Sequence, residues 1–243
     1  MRVTRLYVPD ALAAHTEHTV REATANHITR VLRLRSGDAL VVFDGRGGQY
    51  AARIAAVRKS TVVLRVAEHE AAERESPLHI TLAQGISRGE RMDFVMQKAT
   101  ELGVSRIVPV VSERSVVRLD APQADNRLRH WRAVVIAACE QCGRNRVPEL
   151  DPPLALERLL ASEKLPERRL MLTADATLRV RDLEAKPEPV AVLIGPEGGL
   201  APAEHSAALR AGFLALRVGP RVLRTETAAL TALAALQLLG GDL

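Results

Sequence analysis

The sequence predicts an α/β protein, a mainly parallel sheet covered on both faces, preceded by a small all-β module. Three observations predict it. Up to about Glu75, β-prone runs follow one another across short turns; from Leu78 onward, strand-like and helix-like segments alternate. Between them the charged stretch Glu68 to Glu75, closed by Ser76-Pro77, reads as a linker. Two domains are therefore expected, residues 1–75 and 76–243.

In the first domain the runs are Ala39–Phe43, Tyr50–Val57 and Thr61–Val66. Turns at Asp44–Gly48 and Arg58–Ser60 separate them, the rhythm of a small barrel or meander. In the second, strands are expected at His79–Ala83, Arg106–Val111, Leu170–Thr173, Val190–Ile194 and Leu214–Val218. Helices are expected at about Arg91–Leu102, Arg127–Gln141, Leu154–Ser162, Pro202–Ala211 and Ala228–Leu239.

The 243 residues are enough to bury a large core. Hydrophobic residues make up 47% but aromatics only 2%, so the core must be aliphatic, and nucleic-acid bases cannot be held mainly on a stacking platform. The net charge of +5, carried largely by arginine, suits a polyanionic partner and equally suits ordinary solubility. Cys139 and Cys142 form a C-x-x-C within a helical stretch. With no further ligands at metal-site spacing, they read as buried thiols and no metal is expected. No signal-type start and no run approaching a bilayer span occur, which predicts a cytoplasmic protein.

Two loops carry the functional signal: Gly195-Pro196-Glu197-Gly198-Gly199-Leu200, and Gly219-Pro220-Arg221-Val222-Leu223-Arg224-Thr225-Glu226-Thr227-Ala228. Each follows an apolar strand-type run that Gly-Pro stops, and each precedes a helix, so main-chain groups are left open to a ligand. Neither matches the P-loop pattern or the dinucleotide fingerprint, which disfavours a nucleoside triphosphate or NAD.

These residues resemble the SPOUT methyltransferases, and within them the RsmE family, which methylates N3 of a uridine in small-subunit (16S) ribosomal RNA. The likeness extends to Arg91–Val117, Ala138–Arg144 and His27–Gly47, in the same order. It implies a C-terminal trefoil knot, a PUA-like RNA-binding barrel in front of it, pairing into a homodimer, and S-adenosylmethionine as cofactor. Backbone contacts to that cofactor would come from Leu172, Thr173, Gly195, Pro196, Glu197, Gly198, Gly199, Leu216, Gly219, Leu223, Arg224, Thr225, Thr227 and Ala228.

Because a uridine N3–H is a weak acid, a base or a strongly positive surrounding is needed. Glu226 is the first candidate, with Glu197 as runner-up; either carboxylate could instead serve only the dipole of the helix that follows. Arg114, expected just beyond a strand's C-terminal end, could stabilise the uridine anion. For RNA contact the candidates are Arg30, Arg33 and Arg35 in the first domain, and Arg88, Arg91, Lys98, Gln141 and Arg144 in the second, each against the alternative of a solvated face. His27 reads as a packed or capping residue. Two other readings stay open: ribose 2′-O methylation within the superfamily, and a non-catalytic ribosomal RNA-binding or assembly factor. A phosphate-binding enzyme using the first loop as an anion nest is a further one.

Overall fold

The computed structural model describes residues 3–115 and 120–243. Met1 and Arg2 fall outside them, as do Val116 and Val117 at the end of the Arg91–Val117 segment. The chain divides into two units, one formed by Met1–Glu75 with Cys139–Val147, the other by Ser76–Ala138 with Pro148–Leu243.

The first unit is built on a five-stranded sheet of β1 (Arg5–Tyr7), β2 (Glu17–Arg21), β3 (Ala39–Phe43), β4 (Gln49–Val57) and β5 (Thr61–Glu70), in the order β1-β3-β4-β5-β2. Its pairings are antiparallel except β1 with β3, and two register shifts bend β4 against β5. Alternate residues point inward, so Leu40, Val42, Ile54, Val62, Leu64 and Val66 close an aliphatic core with Leu6, Val20 and Ile28. Strand β5 runs on through Glu68–Glu70, so the expected linker begins as strand, its polar residues lying outside the core.

Helix α1 (Glu22–Asn26) passes directly into a π-helical turn at His27–Val31. Arg33 then takes φ 55°, the left-handed region. Arg30, Arg33 and Arg35 are thus carried on a π turn and the bend after it, not on a strand. His27 is half-buried.

The second unit is a wholly parallel seven-stranded sheet of β6 (Ile80–Gly85), β7 (Arg106–Val111), β8 (Glu149–Leu150), β9 (Leu154–Ala155), β10 (Arg168–Leu172), β11 (Val190–Ile194) and β12 (Leu214–Leu216). The order is β12-β10-β11-β6-β7-β8, with β9 also on β7. Its helices are α2 (Glu90–Glu101), α3 (Ala121–Cys142, of which Cys139–Cys142 belong to the first unit), α4 (Leu156–Leu160), α5 (Pro202–Arg210) and α6 (Thr225–Gly240). Every residue of β11 is buried, as a central strand covered on both faces requires. On one face Ala83, Val108, Met171, Ala191 and Leu193 pack with Leu156 and Leu159 of α4 and Ala208 of α5. On the other, α6 packs against α2 and over β6 and β11.

Three helices differ from expectation by more than a residue. Helix α3 begins six residues early, at Ala121, where Asp120 accepts the Gln123 N–H at 2.8 Å and caps it. The Leu154–Ser162 helix shortens to α4 because Leu154 and Ala155 pair with β7. Thr225, Glu226 and Thr227, expected in a loop, form the first turn of α6. The last change matters most, since it places Glu226 where unpaired amide groups and the helix dipole favour a carboxylate.

Candidate functional site

Strands β10, β11 and β12 end side by side, and the segments leaving their C-terminal ends enclose a cavity of about 640 Å³. This is the edge at which open parallel sheets place ligands. Its wall comes from three stretches: Met171–Ala174, Ile194–Leu200, and Leu216–Gly219 with Arg221–Glu226 and Ala228; Arg91 and His205 complete it. All the residues expected to touch a cofactor line it except Thr227, in the first turn of α6.

Close backbone packing holds these stretches in place. A Cβ on Gly85, at the end of β6, would fall against the Pro196 nitrogen and lie 2.7 Å from the Gly195 carbonyl carbon, so only glycine fits there. Gly199 takes φ 67° and donates its N–H to the Pro196 carbonyl at 2.8 Å, which tightens the turn. The Thr225 hydroxyl donates to the Gly195 carbonyl at 2.7 Å and accepts from Gln84 Nε2 at 2.9 Å. Thr225 therefore ties β6, the first loop and α6 together through its side chain. Glu204, buried in the first turn of α5, accepts from the Ala201 N–H at 2.9 Å and the Glu113 N–H at 2.7 Å.

The two carboxylates of the cavity differ. Glu197 accepts from the Arg88 backbone N–H and from the Arg91 guanidinium, both at 3.1 Å. Partial burial pushes its carboxyl upward, but hydrogen bonds from its own N–H, from Arg88 and from Arg91 outweigh this and hold it below the usual glutamate value. It is thus a weak base and a firm acceptor. Glu226 has a buried Oε2 with no hydrogen-bond partner among the described residues.

The expected cationic residues separate in the same way. Arg114 lies three residues beyond β7, outside the cavity wall, and donates Nη1 to the Gly198 carbonyl at 3.1 Å. The Arg91 guanidinium is taken by a protein carboxylate, Glu197, which meets Arg88 only at its backbone N–H. Lys98 pairs with Glu101 at 2.8 Å within α2, and Gln141 is exposed. Arg144 is a correction: it is only 5% exposed and its guanidinium grips Glu75 at 2.5 Å, so it braces the first unit rather than facing RNA. Arg30, Arg33 and Arg35 are all exposed, with Val31 between them 66% exposed.

The cysteines of the C-x-x-C are free, Cys139 buried and Cys142 half-buried, and burial pushes the Cys139 thiol up to about 12. Among the described residues no cluster of His, Cys, Asp and Glu has the makings of a metal site, and no helix is long and apolar enough to cross a membrane.

Two wall residues that bury an unpartnered nitrogen escaped the sequence reading. Arg217 follows β12 and His205 sits in the first turns of α5, and Arg217 Nε and His205 Nε2 are buried with no partner among the described residues. A charged residue directly after a strand that enters a glycine-rich loop was the available signal for Arg217. His205 gave none, since only the packing of α5 brings it to the cavity.

Comparison with known proteins accounts for this architecture. The RNA methyltransferase domain matches residues 74–237, and the RNA methyltransferase PUA domain matches residues 20–67. The ribosomal RNA small subunit methyltransferase E of Buchnera aphidicola subsp. Schizaphis graminum is 33% identical over 100% of this chain and 98% of its own. Among solved structures, a methyltransferase from Legionella pneumophila in complex with S-adenosylmethionine is 42% identical, with TM-score 0.96 and full coverage of both chains. The ribosomal RNA small subunit methyltransferase E of Neisseria gonorrhoeae, bound to S-adenosylmethionine, is 39% identical, with TM-score 0.90 and 99% of each chain covered. A PUA-like module followed by a parallel-sheet methyltransferase domain, matched along its whole length, shows that the chain belongs to the ribosomal RNA small subunit methyltransferase E family.

Proposed function

We infer that this protein is an S-adenosylmethionine-dependent methyltransferase acting on N3 of a uridine in small-subunit (16S) ribosomal RNA. The observation that carries the reading is the cavity at the ends of β10, β11 and β12. Two glycine-containing loops form much of its wall, its volume suits a nucleoside-sized ligand, and residues of both charges line it. Those features fit an adenosyl ligand with a charged amino-acid end. Full-length relatives with the same name, and neighbours solved with that cofactor, support the assignment.

When bound, S-adenosylmethionine supplies a methyl group already activated on a sulfonium, so the chain must bind, orient and manage one proton. Leu172, Thr173, Gly195–Gly199, Leu216, Gly219, Leu223, Arg224, Thr225 and Ala228 would hold it. Glu226, on the cavity wall, would accept the proton of the uridine N3–H. Arg114 and Arg91 would offset the negative charge that develops on the uridine ring. Glu197 serves by fixing Arg91.

The reading divides the labour between an RNA-binding barrel at 1–75 and a methyltransferase domain at 76–243. The family likeness further supports a knotted C-terminal domain, a homodimer and cytoplasmic work on ribosomal RNA or an assembled small subunit. Extrusion of the target base from folded RNA is expected of an enzyme that acts on a base edge.

Nucleoside mass spectrometry tests the reading. Small subunits from cells lacking this protein should contain no 3-methyluridine at its site and should gain it on incubation with purified protein and S-adenosylmethionine. Appearance of 2′-O-methyluridine, or of no methylated uridine, would overturn it.

A further inference from the structure

Glu204 stands in the first turn of α5, is only 8% exposed and does not line the cavity. A glutamate at this position of a helix ordinarily spends its carboxylate on the N–H of the residue that caps the same helix. Glu204 does so with Oε2, which accepts the Ala201 N–H at 2.9 Å. Its Oε1 reaches further and accepts, at 2.7 Å, the N–H of Glu113 in the loop that leaves β7. Capping α5 explains one oxygen and leaves the other.

The segment that Oε1 holds is a closed turn. The Ser115 N–H donates to the Ser112 carbonyl at 3.0 Å, the Ser112 N–H donates to Ser115 Oγ at 2.9 Å, and the two hydroxyls lie 3.1 Å apart. Ser112 and Ser115 are buried, whereas Glu113 and Arg114 between them are exposed, so Arg114 rides on the tip of a turn whose ends are fixed. From that tip Arg114 donates Nη1 to the Gly198 carbonyl at 3.1 Å. A Cβ on Gly198 would come within 3.2 Å of the Arg114 Cβ, so the bare glycine lets the turn lie close on the first loop. The tip is thus anchored on both sides, to Gly198 by the Arg114 side chain and to Glu204 by the main-chain N–H one residue earlier.

We propose that Glu204 is a positioning residue for methyl transfer, which holds the Glu113 N–H and thereby fixes Arg114 beside the first loop, where its guanidinium meets the acceptor base. The inference rests on the charge-offsetting role of Arg114 inferred above. An exposed arginine on an untethered turn samples many positions, and a cation stabilises developing charge well only when it is in place beforehand. Buried as it is, Glu204 acts through Arg114 and does not touch the base.

The test is a double-mutant cycle read by single-turnover methylation of small subunits that lack the modification, with protein and S-adenosylmethionine saturating so that changes in binding drop out. Arg114→Ala should lower the rate about 10²-fold, as loss of a preorganised charge partner does. Glu204→Ala should lower it about tenfold, the scale of a small misplacement. The double variant should fall within about twofold of Arg114→Ala alone, because nothing is left to position. A glutamate that only caps α5 would cost the same factor in both backgrounds, and that result would overturn the proposal. So would an unchanged rate in Glu204→Ala. Ser115→Ala opens the turn from its other end and leaves α5 intact. It should show the same dependence on Arg114, and it carries the test if melting curves show Glu204→Ala to be unfolded; independent losses there would overturn the proposal equally. An unchanged rate in Arg114→Ala would remove the role of that arginine and the positioning with it. Absence of 3-methyluridine with the wild-type protein would remove the methyl-transfer reading itself.

Discussion

Glu226 and Glu197 stand within one cavity and yet suit opposite tasks, and the difference lies in their partners. Glu197 is held ionised by the Arg88 backbone N–H and the Arg91 guanidinium, whereas Glu226 keeps a buried oxygen without a partner among the described residues. Glu226→Gln should lower methyl transfer by about 10²-fold or more, the usual worth of a positioned base. Affinity for S-adenosylhomocysteine should stay within about twofold, which separates a chemical from a binding defect. For Glu197 the sign of the pH effect follows from its depressed carboxyl. The stabilisation it contributes is present above the ordinary glutamate value of about 4.3 and is lost as pH falls through the lower folded value. Melting curves of wild type and Glu197→Gln should therefore differ at neutral pH and converge below about pH 4. Convergence at higher pH would mean that Arg91 does not stabilise the charge.

At the scale of elements, the site depends on how closely β6 approaches the first loop. Gly85→Ala would drive a methyl group into the main chain at Gly195 and Pro196, which cannot swing aside as a flexible side chain does. The expected loss is about 1–3 kcal/mol in denaturant unfolding, the usual range for overpacking, together with weaker cofactor binding because the loop itself is displaced. Unchanged binding would show the loop to be insensitive to β6. This dependence was not legible in the sequence, where Gly85 looks like an ordinary strand end. What was legible were the features with local causes. Gly-Pro stops after Val190–Ile194 and after Leu214–Val218, and buried aliphatic runs at β3, β7 and β11, were read within a residue or two. The short strands β1, β2, β8 and β9 were missed because two to five residues carry too little periodicity, and their pairing comes from distant partners. The start of α6 was missed because Thr225 and Thr227 are poor helix formers, while Thr225 gains its place through Gln84 and Gly195.

At the scale of the whole molecule, the question is which of the 34 Lys and Arg residues meet RNA and which brace the fold. Composition could not separate them, since a buried Arg144 and an exposed Arg30 look alike in sequence. Arg144→Ala should destabilise the first unit by about 2 kcal/mol, less than for a fully enclosed pair because Glu75 keeps 20% of its side chain exposed. Its effect on RNA affinity should vanish once measured on the folded fraction. Arg30, Arg33 and Arg35 should behave in the opposite way. They surround the exposed Val31 on a π-helical turn and its left-handed exit, an irregular geometry of the kind often retained at functional sites, and no described residue pairs with their guanidinium groups. Replacing all three by alanine should leave the melting temperature and S-adenosylhomocysteine affinity unchanged. It should lower kcat/KM on small subunits about tenfold or more, and make the logarithmic salt dependence of RNA binding shallower by about one per arginine that neutralises a phosphate. Reduced activity with an unchanged salt slope would mean that these arginines act on the barrel's own structure. An unchanged kcat/KM would remove them from the RNA surface altogether and leave the methyltransferase domain to hold its substrate alone.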